Sequence, residues 1–525
     1  MQASRTILLA LMFASACFDP QQTPADDDVG DSGPDASGSD AGMSTSTEDD
    51  SAEDEPAADT GESAGECPGL GCPCAGAGSC EHGQYCYDGQ CILGACGDGE
   101  RQGPEQCDDA NLIDDDGCDA DCSFTELLDV QTARGSTCVL LEGGRVRCWG
   151  RNDAGQLGYG HTETIGDDES AAVLADVALP EPVVALSMGE RHVCVLMADQ
   201  GARCWGAGER GRLGYGGTED IGDDETPLAL TDVPLGEPVL GIQAGERHTC
   251  ALLEGGRLRC WGAGDDGRLG YASDEDLGDD ELPASVGDVT VGEQVVGLAL
   301  GGDHTCALVD TGKIRCWGSG ALGQLGYGSD KSVGEQETPA SVGDVPAVPE
   351  DAGLDTPALA LSLGLDTSCA RFEGGSALCW GAGERGQLGQ SQTTNLGDDE
   401  LPSTAPAIVL PGPLRSLLAG DAHVCALLES DQALCWGAND SGQLGYGHTE
   451  DIGDDEPPAS AGLLALGGPV KAISAGGDHT CAILSETNEL LCWGRNDFGQ
   501  LGYGHTQDIG DDELPPDVGS VPLFE

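Results

Sequence analysis

From residue 127 onward the chain is written in short apolar runs separated by Gly, Asp and Pro. One unit begins Leu127-Leu128-Asp129-Val130, continues Thr137-Cys138-Val139-Leu140-Leu141, turns at Glu142-Gly143-Gly144 and ends Cys148-Trp149-Gly150. Gly155-Gln156-Leu157-Gly158-Tyr159-Gly160, an acidic loop and a Pro-containing return complete it. Period-two alternation between turn residues predicts strands, and helix-period spacing is absent.

The tripeptide Cys-Trp-Gly recurs at Cys148, Cys204, Cys260, Cys316, Cys379, Cys435 and Cys492, and it holds every tryptophan of the protein. The step is 56 residues, lengthening after Cys316 and before Cys492. Seven near-equal units of three or four short strands predict an all-β chain with one sheet per unit, a seven-bladed β-propeller over 127–525. No distinctive capping repeat marks either end, which favours a closed ring over an open solenoid.

Trp-Gly followed by Gly-Gln-Leu-Gly, repeated in this way, resembles the regulator-of-chromosome-condensation family, whose members form seven-bladed propellers. That family includes a nuclear exchange factor for a small GTPase, but no exchange-factor residue maps onto this chain, and chromatin attachment needs positive charge that it lacks. Secreted bacterial relatives include β-lactamase inhibitors that bind protein through one propeller face, and this resemblance implies a binding surface.

The cysteines carry the next inference. With a three-residue turn, Leu141 faces Arg145, and counting back sets Cys138 opposite Cys148. Opposed residues of an antiparallel pair have Cα atoms about 4.5–5.5 Å apart, within disulfide range. The same count pairs Cys194 with Cys204, Cys250 with Cys260, Cys306 with Cys316, Cys369 with Cys379, Cys425 with Cys435 and Cys481 with Cys492; a row of buried thiols is the alternative. A histidine stands two residues before the first cysteine at His192, His248, His304, His423 and His479, with Ser136 and Thr367 in the other two units. Tolerance of Ser and Thr points to structural hydrogen bonding rather than to metal, and no metal site is assigned.

The loop after Gly-Gln-Leu-Gly, which reads Gly-Arg-Leu-Gly at 211–214 and 267–270, is acidic in every unit. Six carry Asp-Asp-Glu: Asp167, Asp168 and Glu169; Asp223, Asp224 and Glu225; Asp279, Asp280 and Glu281; Asp398, Asp399 and Glu400; Asp454, Asp455 and Glu456; Asp511, Asp512 and Glu513. The fourth has Glu335-Gln336-Glu337. Equivalent propeller loops emerge on one rim, so an acidic crown is expected. Calcium is the cation such oxygens would take, yet no loop has the spaced pattern of a dedicated calcium site, and solvated charge is the plainer reading. No cofactor is expected.

The N-terminal region reads differently. Residues 1–17 resemble a bacterial lipoprotein signal: Arg5, an apolar run from Ile7 to Phe13, then Ala14-Ser15-Ala16-Cys17, too short to span a bilayer. The resemblance implies lipid on Cys17, although Ala14 stands where Leu is usual. An ordinary signal peptide is the alternative. Residues 18–66 have no Lys or Arg and few large apolar side chains, so they are expected to be a disordered tether. Residues 67–95 hold six cysteines and 96–126 four more: Cys96, Cys107, Cys118 and Cys122. The latter module resembles a cysteine-rich repeat of exported myxobacterial proteins. Disulfides should replace the core that such small modules lack.

The net charge of −72 repels phosphate backbones and anionic lipid surfaces, excluding ordinary nucleic-acid binding and favouring cations and basic proteins. No phosphate-cradling loop, zincin helix or nucleophile elbow appears, and the carboxylates recur in every unit instead of distinguishing one. The expected function is therefore a non-catalytic, monomeric recognition scaffold on an outer membrane or cell surface, binding a protein or glycan through a propeller rim. Alternatives are an inhibitor of a secreted enzyme, an exchange factor by family name, and a hydrolase or lyase at the propeller axis.

Overall fold

The computed structural model describes residues 122–349 and 356–524, the stretches 106–108, 110 and 117–120, and the backbone of 72–73, 85–87 and 90–92. Cys17, residues 18–66 and Cys96 lie outside the described residues. In the six-cysteine module Cys72–Pro73, Tyr85–Tyr87 and Gln90–Ile92 form a small antiparallel sheet with the last of them central. Cys107, Cys118 and Cys122 are disulfide-bonded. The chain divides into two units between residues 111 and 112, inside the 96–126 module.

The propeller has seven blades, each a contiguous three-stranded antiparallel sheet. Blade 1 is Leu127–Thr132, Ser136–Leu141 and Arg145–Gly150. Blade 2 is Val183–Met188, His192–Met197 and Ala202–Gly206. Blade 3 is Val239–Ala244, His248–Leu253 and Arg257–Gly262. Blade 4 is Val295–Leu300, His304–Val309 and Ile314–Gly318. Blade 5 is Ala358–Leu363, Thr367–Phe372 and Ala377–Gly381. Blade 6 is Leu414–Ala419, His423–Leu428 and Ala433–Gly437. Blade 7 is Val470–Ala475, His479–Leu484 and Leu490–Gly494.

Of the three or four strands expected per unit, three form, and the segment after them contributes a single bridge, Gly150 to Ile165 in blade 1 and its equivalents elsewhere. The middle strand of blade 1 is buried along its whole length, whereas the first, edge strand is only partly so. Every first strand also carries a register shift, as between Leu127 and Asp129; such a bulge bends a strand and increases its twist.

The repeated motifs pack blade on blade. All seven tryptophans are fully buried. Trp205 Nε1 donates to the Gln156 carbonyl of the preceding blade at 3.0 Å, and Trp149 donates to Gln500 of blade 7 at 2.9 Å. The last glycine of Gly-Gln-Leu-Gly lies against this indole: a Cβ on Gly158, at φ +81°, would stand 2.8 Å from Trp205 Nε1. Only glycine meets both demands without strain.

Candidate functional site: the loop face and its axial mouth

The register fixes which loops share a face. His192, at the start of a second strand, pairs with Gly206, at the end of the third. The loops joining first to second strands therefore lie at the same end of each blade as the segments that follow Cys-Trp-Gly. The second-to-third-strand turns lie at the opposite end.

The predicted disulfides are present. Cys138–Cys148, Cys194–Cys204, Cys250–Cys260, Cys306–Cys316, Cys369–Cys379, Cys425–Cys435 and Cys481–Cys492 are all bonded, with Cα atoms 4.0–4.1 Å apart. This is slightly closer than expected and matches the nearer of the two antiparallel pair types. Seven buried disulfides are the mark of an oxidising, extracytoplasmic environment.

The histidines are latches between blades. His192 Nε2 meets Thr249 Oγ1 of the next blade at 2.9 Å. His248 reaches Thr305, His304 reaches Ser368 and His423 reaches Thr480 in the same way. Each hydroxyl donates onward to a buried carbonyl, as Thr249 does to Arg212 O at 2.9 Å, so the imidazole must be the donor. Burial drives these histidines towards the neutral form, His304 down to about 3 and His423 to about 4. Ser136 and Thr367 replace the histidine where the next blade offers Val193 or Val424 instead of a hydroxyl.

Each acidic loop sits at a junction with the preceding blade, where Gly222 packs on the Gly155 carbonyl and Gly166 on that of Gly499. Within the triads at 167–169, 223–225, 279–281, 398–400 and 454–456, one oxygen from each carboxylate lies within 4.8 Å of the others. The second Asp is the exposed member, and the Glu shares a hydrogen bond with it. Burial, then that bond and the neighbouring charges, push the Glu carboxyl up, to about 7 at Glu400 and Glu513. The triads are thus separate clusters repeated around the circumference, one at each of six junctions.

The arginines of this end are spent internally. Arg191 pairs with Asp153 at 2.9 Å, Arg210 with Asp265 at 2.6 Å and Arg247 with Asp303 at 3.1 Å, while Arg385 pairs with Asp440 and Asp451 at 2.7 and 2.6 Å. Further along the blades Arg147, Arg203, Arg259 and Arg315 pair with Asp176, Asp232, Asp288 and Asp344.

One location breaks the symmetry, and it was not singled out in the sequence. The first-to-second-strand loops of all seven blades converge on a cavity of about 110 Å³ at the axis. One loop position reads, from blade 1 to blade 7, Arg134, Glu190, Glu246, Gly302, Leu365, Asp421 and Gly477. Arg134 reaches across the mouth. Its Nε donates to Asp421 Oδ2 at 2.8 Å, Nη2 bonds the same oxygen, and Nη1 lies 3.4 Å from Glu246 and 3.9 Å from Glu190. Deeper in, a second cavity of about 120 Å³ is bordered by Gln131, Ser187, Gln243, Ser362 and Ser474. Superposing the seven repeats would have exposed this odd arginine.

Comparison with known proteins agrees with this architecture. The RCC1-like domain family matches residues 202–523, and a regulator of chromosome condensation (RCC1) repeat matches 134–156. The chain is 27% identical over 394 residues to the ultraviolet-B receptor UVR8 of Arabidopsis thaliana, covering 73% of this chain and 80% of the receptor. It is 28% identical to the guanine nucleotide exchange factor SRM1 of Saccharomyces cerevisiae, covering 59% and 67%. It is also 28% identical to the mouse E3 ubiquitin-protein ligase HERC2, but there the match spans only 7% of the relative's length. Among solved structures, Prp20p of Saccharomyces cerevisiae superposes with a TM-score of 0.54 at 20% identity, covering 74% of this chain and 87% of that one. Human WBSCR16 gives 0.53 at 21%, covering 70% and 92%. The chain belongs to the RCC1-like domain family of seven-bladed β-propellers.

Proposed function

We propose that the chain is a non-catalytic recognition module, tethered outside the cytoplasm through lipid on Cys17, that binds a basic protein partner on its loop face. The observation carrying this reading is the way charge is spent at that face. Its arginines are consumed in ion pairs between loops, so among the described residues no ion pair reaches the carboxylates of the six triads. A field of one sign speeds encounter with the opposite sign and is screened beyond about 8 Å at physiological salt. Relatives named as a receptor, an exchange factor and a ligase are similar in sequence to this chain, which favours a shared binding scaffold over a shared chemistry.

The test begins with a pull-down from extracytoplasmic protein. Replacing Asp by Asn and Glu by Gln at 167–169, 223–225 and 279–281 should slow association with the captured partner and flatten its salt dependence. Unchanged kinetics with lower solubility would reduce the triads to a solvating rim and overturn the reading.

A further inference from the structure

We infer that the axial mouth is a receptor for the guanidinium of an arginine side chain supplied by a basic partner, and that Arg134 is its built-in occupant. The inference rests on the loop face being the surface for basic partners, and it names the chemistry of one site there.

The bowl is built rather than incidental. Its carboxylates come from blades 2, 3 and 6, and the backbone holds their loops: Glu246 N donates to the Gly301 carbonyl at 3.4 Å and Asp421 N to the Gly476 carbonyl at 3.0 Å. The neighbouring glycines pack blade against blade, since a Cβ on Gly189 would stand 2.2 Å from the Gly245 carbonyl. The backbone that carries the acids is therefore held by contacts between blades and does not depend on Arg134.

The charges do not balance. Three carboxylates face one guanidinium, and the buried Glu246 Oε1 meets Arg134 Nη1 only as an ion pair at 3.4 Å, outside hydrogen-bond geometry. Burial, opposed by Arg134 and reinforced by Asp421, Glu190 and Asp303, holds the Glu246 carboxyl up at about 7. A planar fork of N–H donors suits such a site better than a lysine ammonium, because it can address several carboxylate oxygens at once. The cavity beneath, about 110 Å³, exceeds one water's share of about 30 Å³.

The occupant is also replaceable. The Arg134 side chain is 42% exposed, against 17% for that of Glu246. Other blades place Gly302, Leu365 and Gly477 at the same loop position, so the fold already accepts uncharged residues there. A partner arginine entering the bowl would displace Arg134 into solvent, and Arg134 would set the threshold for entry.

The test is calorimetry on the full-length oxidised chain with N-acetyl-arginine amide as probe, and with the lysine and citrulline amides as controls. Arg134→Leu and Arg134→Gly should each bind the arginine probe at least about tenfold more tightly than the unaltered chain, a change of about 1.4 kcal/mol. Lysine amide should bind more weakly and citrulline amide not at all. Adding Asp421→Asn to either variant should remove the gain. Equal affinity with and without Arg134, or a gain that survives Asp421→Asn, would overturn the inference. If the probe fails while a basic protein still binds the face, the bowl alone is refuted; if neither binds, the reading of the face fails as well.

Discussion

His479 Nε2 and Thr137 Oγ1 stand 2.8 Å apart although 342 residues separate them, and this pair joins the last blade to the first. No strand is shared between those blades, each of which is one contiguous sheet. Closure therefore depends on side chains and loops. The Thr137 hydroxyl donates to the Gln500 carbonyl at 2.8 Å, the same oxygen that accepts from Trp149.

Thr137→Val should cost about 1–3 kcal/mol, since it strands a buried imidazole donor. Combining it with His479→Leu should cost less than the sum of the two changes. Conversely, Ser136→His together with Val193→Thr should install the missing latch between blades 1 and 2. Denaturant unfolding of the four proteins measures each effect, and strictly additive losses for the first pair would contradict the latch.

Removing one disulfide, by Cys138→Ser with Cys148→Ser, should cost roughly 2–3 kcal/mol in the chain-entropy model for so short a loop. Peptide mapping without reductant should recover all seven bonded pairs from exported protein. Free thiols at these positions would contradict the assignment.

Asp129 supplies a pH test. It is 6% exposed, and burial pushes its carboxyl up to about 7 against the opposing hydrogen bonds from Gln131 and the Val130 backbone. A folded-state value above the unfolded value of about 3.9 means that the native state binds the proton more tightly. This contribution to stability is therefore fully present below pH about 4, and is lost as pH rises to about 7. Asp129→Asn should raise the melting temperature at pH 8 and leave it nearly unchanged at pH 4. An equal shift at both values would contradict the assignment.

Changing Cys17 to Ser should release the protein from membranes, since stable anchoring requires acyl chains on that residue. Fractionation of producing cells decides the matter, and unchanged membrane retention would count against the lipid anchor.

The strands, the blade number and the disulfides were legible because each is local: alternation, a fixed step and a three-residue turn all act within a few tens of residues. The latches were half legible. The histidines stood out, but each partner lies on the next blade, and its signal is a Thr or Ser just after that blade's own histidine position. The acidic triads were visible as residues, while their division among blade junctions depends on Gly-to-Gly packing such as Gly166 on Gly499. Arg134 was not legible from its surroundings, because nothing near it in sequence names Glu190, Glu246 or Asp421 as neighbours. Only ring closure brings seven separated loops to one axis.

The most direct test of the central claim is zero-length carbodiimide cross-linking of the full-length chain to proteins isolated from outside the cytoplasm of producing cells. Such a reagent joins partner lysines to carboxylates in contact with them, so it reports which face is used. The account predicts links at Asp168, Asp224, Asp280 and the equivalent exposed acids of the other triads, lost at high salt. Links concentrated at Glu142, Asp199, Glu254, Asp310 and Glu373, on the turns of the opposite end, would contradict it.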